Sequence, residues 1–145
     1  MFLVSSSHLL RNALWADTIV SFATGLLQVA ATAQLAELTR LPTSLLGWTG
    51  EFYLVYGLFV AWLASRKSPP RGLVWLVIVG NAAWAAGTRA LLAGGGLAPS
   101  PLGQAFVLVQ ALSVAALAAL QFVGLRAKSA QAVVWTRRAY LRVTM

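Results

Sequence analysis

The stretch RKSPPR, residues 66–71, is the only strongly polar break between the long apolar runs of this 145-residue chain. Its three cations do not belong in an apolar helix, and its two prolines cannot continue one, because proline lacks the amide proton and restricts the residue before it. The break divides the chain into two apolar hairpins, one on each side.

Hydrophobic residues make up 59% of the sequence and charged residues only 10%, against about 25% charged in soluble domains. The charges cluster between apolar runs of roughly 20 residues, the length a helix needs to cross a ~30 Å hydrocarbon core. The expected fold is therefore all-α, an integral membrane bundle of four transmembrane helices forming a single transmembrane domain. The spans are expected at about residues 13–38, 45–65, 72–93 and 102–125, with a basic cytoplasmic tail over 126–145. The net charge of +8 does not point to nucleic acid, since the cations sit at span ends and not on a basic face with base-reading side chains. The chain has no cysteine, which excludes disulfides, thiolate metal sites and cysteine nucleophiles.

If the four spans alternate, Arg11, Arg66, Lys67, Arg71, Arg126, Lys128, Arg137, Arg138 and Arg142 fall on one side, leaving Arg40 and Arg89 towards the other. The positive-inside rule then places both termini and the 66–71 loop of this multi-pass chain in the cytoplasm. Residues 1–11 read as a short tail or interfacial lead-in. An alternative for the same region is a signal peptide: Arg11, an apolar stretch and the small triplet Ala31, Thr32, Ala33 have that pattern, although Asp17 interrupts it.

Along the spans, Trp48, Phe52, Val55, Phe59 and Trp62 recur at helical spacing and form a lipid-facing or packing stripe. On span three, Gly80, Ala83, Gly87 and Ala90 form a small-residue face on which another helix is expected to approach closely. Gly94, Gly95 and Gly96 with Pro99 and Pro101 mark an external loop. In the tail, Trp135, Arg137, Arg138, Tyr140 and Arg142 mix aromatic and cationic groups, a composition suited to an anionic membrane surface. Pro42, Ser44, Leu45 and Gly47 before span two echo Pro99, Ser100, Leu102 and Gly103 before span four, a hint of two duplicated helical hairpins.

The polar residues inside the spans carry whatever chemistry the chain has. Asp17, Ser21, Thr24, Gln28 and Thr32 are spaced by three and four residues, so they form one stripe of the first helix. In hydrocarbon that stripe would strand donors and acceptors, so it must face protein or water. Gln110 and Gln121 point the same way from span four and are the expected partners, Gln121 at the depth of Asp17 and Gln110 at the depth of Gln28. Asn81, Trp84 and Thr88 share a face of span three, where Asn81 can bond across helices and Trp84 can line a cavity. Glu51 and Arg89, near the outer ends of spans two and three, are candidates for an ion pair, with Arg40 a competing partner for Glu51. His8, the only histidine, lies outside the spans.

No catalytic residue, metal-ligand set or cofactor is expected, because the three acids do not converge with a second titratable group. The expected partners are the lipid bilayer, a membrane-protein partner or second copy of the chain, or an apolar ligand, and no nucleic acid. Three functions remain: an accessory or interaction subunit, or binder of a lipid or other apolar molecule within the bundle; a small oligomeric transporter or channel using the polar stripe of span one; and, last, a membrane-embedded enzyme. A cavity lined by Gln28, Asn81, Trp84 and Gln110 would favour a ligand or transport role, and a dry core an accessory one. The segments WADTIVSFATGLL, FVAWLASRKSPPRGLVWLVIVGNAAWA and PLGQAFVLVQALSVAALAALQFVGLR resemble uncharacterised small four-span bacterial integral membrane proteins. The resemblance implies a helical bundle in the inner membrane and carries no site residues.

Overall fold

A computed structural model describes the backbone of residues 6–143 and the side chains of residues 8–127. The chain is all-α, with α1 at Ser6–Ala30, α2 at Thr32–Thr39, α3 at Thr43–Ser65, α4 at Arg71–Ala93 and α5 at Pro101–Val143. Three of these stretches are long and apolar enough to cross a membrane: His8–Ala30, Arg71–Ala93 and Pro101–Ala127. The remaining long helix, α3, matches α4 at 23 residues; Glu51 and its tyrosines and tryptophans lower its hydropathy.

The helix boundaries correct the expected spans at two places. The first span, expected over 13–38, is two helices. Ala31 leaves helical geometry at φ −120°, ψ 30°, yet its N–H still reaches the Leu27 carbonyl at 3.0 Å and its own carbonyl accepts from Leu35 at 2.8 Å. The result is a kink. Beside it, the Thr32 hydroxyl bonds back to the carbonyls of Gln28 and Val29, a kind of bond that bends helices. Helix α1 also begins at Ser6, inside the stretch expected as a tail, which moves Asp17 to near its centre. At the other end, α5 does not stop at residue 125 but runs on to Val143; the tail's aromatic and cationic side chains lie outside the described residues.

Prolines start the later helices, where a missing N–H costs nothing. Pro42 and Pro70 precede α3 and α4, and Pro101 opens α5. Ser100 does more: its hydroxyl accepts the Gly103 N–H at 3.1 Å, donates to the Leu38 carbonyl at 2.7 Å, and its N–H donates to the Thr39 carbonyl at 2.9 Å. It caps α5 and ties that helix's start to the end of α2. Arg40 closes α2 in the left-handed region at φ 56°, with its N–H on the Ala36 carbonyl.

Helix α1 packs mainly on α3 and α5, and α4 packs on α5, whereas α3 and α4 barely touch. Glycines set the close approaches. A Cβ at Gly25 would lie 2.9 Å from the Gly50 carbonyl, one at Gly50 would lie 2.9 Å from Gln28 Cβ, and one at Gly124 would lie 2.8 Å from the Leu10 nitrogen. Leu10 and Leu14 from α1, Val60 and Leu63 from α3, Val74 and Val77 from α4, and Ala118 and Leu125 from α5 form the apolar core. The outer surface is apolar too: Ile19 is 66% and Leu112 70% exposed, a surface that lipid solvates and water does not. Within the aromatic stripe of α3, Trp48 is 75% and Val55 68% exposed. Near the 66–71 loop, the Arg66 and Arg126 guanidinium groups each lie 4.3 Å over the rings of Trp62 and Phe122.

The small-residue face of α4 behaves differently from its sequence expectation. A Cβ added at Gly80 or Gly87 would meet nothing within 4 Å. No helix has closed on that face.

Candidate functional site

Two polar sites lie one above the other between the helices. The lower one is built around Asp17, whose side chain is fully buried near the centre of α1. Its Oδ2 accepts from Gln121 Nε2 of α5 at 2.7 Å and from Asn81 Nδ2 of α4 at 2.8 Å. The Tyr56 hydroxyl of α3 stands 3.1 Å from the same oxygen and 2.9 Å from Asn81 Oδ1, so its one proton serves either. Asp17 Oδ1 meets only the Ser21 hydroxyl, at 3.4 Å. Helix α1 supplies Asp17 and Ser21, and α3, α4 and α5 supply one member each; the separation of α3 from α4 is bridged here by side chains alone.

The carboxylate also fixes the Gln121 amide, because only its NH2 end can face a carboxylate oxygen. The other end, Oε1, is buried with no donor. Every lysine and arginine among the described side chains is exposed, so none of these cations compensates Asp17.

Above this cluster, where α3 and α4 part, a cavity of about 460 Å³ is lined by all four long helices. Leu45, Leu46, Leu91, Phe106 and Val107 give it apolar walls. Gly80, Ala83 and Gly87 line it from α4; their small size supplies volume, the physical reason the expected close helix contact is replaced by open space. Gln28, Thr49, Thr88 and Gln110 bring polar groups to its lining. Gln28 Oε1 and the Leu45 carbonyl both lie 2.7 Å from the Thr49 hydroxyl. Gln110 Oε1 accepts from the Tyr53 hydroxyl at a long 3.4 Å, and Gln110 Nε2 is buried without an acceptor. Trp84 lines the cavity and stacks on Phe52 at 5.4 Å, which in turn stacks on Tyr56 at 5.9 Å. One aromatic layer therefore connects the cavity to the Asp17 cluster.

The structure brings together Asp17, Ser21, Asn81 and Gln121 in the lower site, and Gln28, Trp84, Thr88 and Gln110 around the cavity. Gln28 and Gln110 share that cavity without bonding each other, and Asn81 lies in the lower site and not in the cavity wall. Thr24 is half-buried between the two sites on the α1 stripe. Glu51, Arg89 and Arg40 are all exposed and form no ion pair; without burial, nothing drives the pair that their depths suggested. Sequence reasoning missed Thr49, Tyr53 and Tyr56. They occupy the face of α3 next to its aromatic stripe, with Phe52 stacked on Tyr56 where the two meet, at spacings of four and three residues, and that periodicity was the available signal.

No protein-family model matches the chain, and neither a curated protein nor a solved structure matches it. The functional reading therefore rests on the two sites.

Proposed function

We propose that this protein is a four-span protein of the inner membrane that binds a lipid or another largely apolar molecule in the cavity between α3 and α4. The observation that carries this reading is the cavity itself, about 460 Å³ in volume, within the ~300–1,000 Å³ of small-molecule sites. Its composition supports the same reading: mostly apolar walls, with Gln110, whose buried Nε2 has no acceptor within the protein, among the lining residues. An amphiphile with a carbonyl, ester or hydroxyl oxygen near one end satisfies both. In this reading α3 is the fourth span, since it equals α4 in length and contributes Val60 and Leu63, both 0% exposed, to the shared core. Both termini and the 66–71 loop are cytoplasmic, and the cavity opens in the outer half of the bilayer.

The two-hairpin duplication belongs to the same proposal. Pro42 and Pro99 are 57 residues apart, and so are Tyr53 and Gln110, which bond each other across the two halves. A second reading, an accessory subunit whose partner helix seats on α4, is favoured by the exposure of Gly80 and Gly87 along the open cavity. The two readings separate in one experiment. The protein purified in mild detergent is analysed by mass spectrometry for bound small molecules and proteins, beside Ala83→Phe, which fills the cavity. Ligand binding is expected to give a retained amphiphile that Ala83→Phe loses. A stoichiometric protein partner with no retained small molecule would refute it.

A further inference from the structure

Asp17 is a fully buried carboxyl with no cationic partner among the described side chains, and its two oxygens are treated unequally. Oδ2 takes the donors of Asn81 and Gln121 at 2.8 and 2.7 Å, while Oδ1 has only the Ser21 hydroxyl at 3.4 Å. The Gln121 amide that binds Oδ2 leaves its own Oε1 buried and without a donor, although Gln121 is 0% exposed. Two under-supplied oxygens on one directly bonded pair of side chains call for a positive occupant, since a buried charge is tolerated when paired and a buried acceptor when given a donor. Polar and ionisable groups placed at such depth between apolar helices mark proton or ion sites.

We infer that Asp17 and Gln121 form a binding site for a small cation, held between Asp17 Oδ1 and Gln121 Oε1. A proton drawn from water is the simplest occupant. Added to Oδ1, it is donated to Oε1 and closes a cyclic acid–amide pair with the existing Nε2–H to Oδ2 bond, so that every buried polar atom of the pair is satisfied. An alkali-metal ion would use the same two oxygens together with Ser21 Oγ. The groups facing Asp17 from the other helices are Tyr56, a phenol, from α3 and the non-titrating amides of Asn81 and Gln121 from α4 and α5. The site is independent of the ligand assigned to the cavity above it.

Asp17 is the only aspartate in the chain, which allows a test without mutation. The full-length protein, carrying side-chain 13C-labelled aspartate, is placed in lipid nanodiscs and its infrared spectrum is recorded at neutral pH in choline, sodium and lithium chloride of equal ionic strength. A label-shifted C=O stretch of a protonated acid, indifferent to the salt, is the expected result and identifies a proton. A label-shifted carboxylate stretch that changes saturably with sodium or lithium identifies a metal ion and also upholds the site. A carboxylate stretch unaffected by any of the three salts overturns it. Gln121→Met removes both Oε1 and the Nε2–H donor to Oδ2 from a side chain of similar length, so the acid–amide pair cannot form and occupancy is expected to shift about tenfold, the worth of one hydrogen bond to a charged group. Unchanged occupancy in that variant removes Gln121 from the site and overturns the pairing.

Discussion

Glycine-to-alanine exchange at four positions separates helix contact from open cavity, because the same chemical change meets opposite surroundings. In a helix interior, alanine is favoured over glycine by about 1 kcal/mol. At Gly80 and Gly87 the new methyl group would meet nothing within 4 Å, so each variant is expected to gain about 0.5–1 kcal/mol. At Gly50 the new Cβ would lie 2.9 Å from Gln28 Cβ and 3.2 Å from the Val29 nitrogen. Carbon atoms settle at roughly 3.5–4.0 Å, so α1 and α3 must part locally by about 0.6–1 Å. Overpacking of this kind costs about 1–3 kcal/mol, and after the helix-propensity gain Gly50→Ala is expected to lose about 0–2 kcal/mol. Gly124→Ala should lose at least as much, since its nearest neighbours include the nitrogen and Cα of Leu10, at 2.8 and 2.9 Å. Backbone atoms cannot turn aside as side chains do. Denaturant unfolding followed by circular dichroism in one detergent gives all four values. If Gly80→Ala or Gly87→Ala loses as much stability as Gly50→Ala, the α4 face is packed and the cavity does not exist.

Three further outcomes follow from the same geometry. Gln110→Leu should weaken binding of the retained amphiphile by about 3- to 10-fold, the equivalent of one hydrogen bond, measured by titration in nanodiscs; unaltered affinity would exclude Gln110 from the contact. Asn81→Leu takes partners from both Asp17 and Tyr56 and should cost about 1–3 kcal/mol, whereas Tyr56→Phe, which leaves Asp17 the donors of Asn81 and Gln121, should cost less; the reverse order by denaturant unfolding would refute this arrangement. Because the chain has no cysteine, Ser68→Cys and Gly95→Cys are unique labels. An impermeant maleimide should reach Gly95→Cys in intact cells and Ser68→Cys only after lysis, and the opposite pattern would invert the topology.

Much of the site's content was legible before its geometry. The spacing of Asp17, Ser21 and Gln28 places them on one helical face by periodicity alone, and the separation of Gln110 and Gln121 by about three turns does the same for α5. Burial of all three α1 residues, at 0–2% exposure, and the bond from Gln121 to Asp17 follow from those faces meeting. The Ala31 kink was not legible. The Thr32 hydroxyl beside it turns towards the backbone, a rotamer choice made by local geometry that the residue type does not announce. Tyr53 and Tyr56 stayed hidden because a tyrosine in an apolar span serves equally as a lipid-facing ring or as a core donor.

The role of small residues shows most clearly where sequence ends and tertiary structure begins. By itself the sequence determined that long apolar helices would form, that RKSPPR would separate two hairpins, and that α4 would carry a face of glycine and alanine. Those are consequences of local chemistry and helical period. Whether such a face closes on a neighbour or stays open depends on how far apart the helix axes stand, and that distance is set by every other contact in the bundle. Here Gly25, Gly50 and Gly124 draw α1 against α3 and α5, while the Phe52–Trp84 stack and the Tyr56–Asn81 bond span the gap between α3 and α4. The same residue type thus makes contact on one side of the bundle and volume on the other.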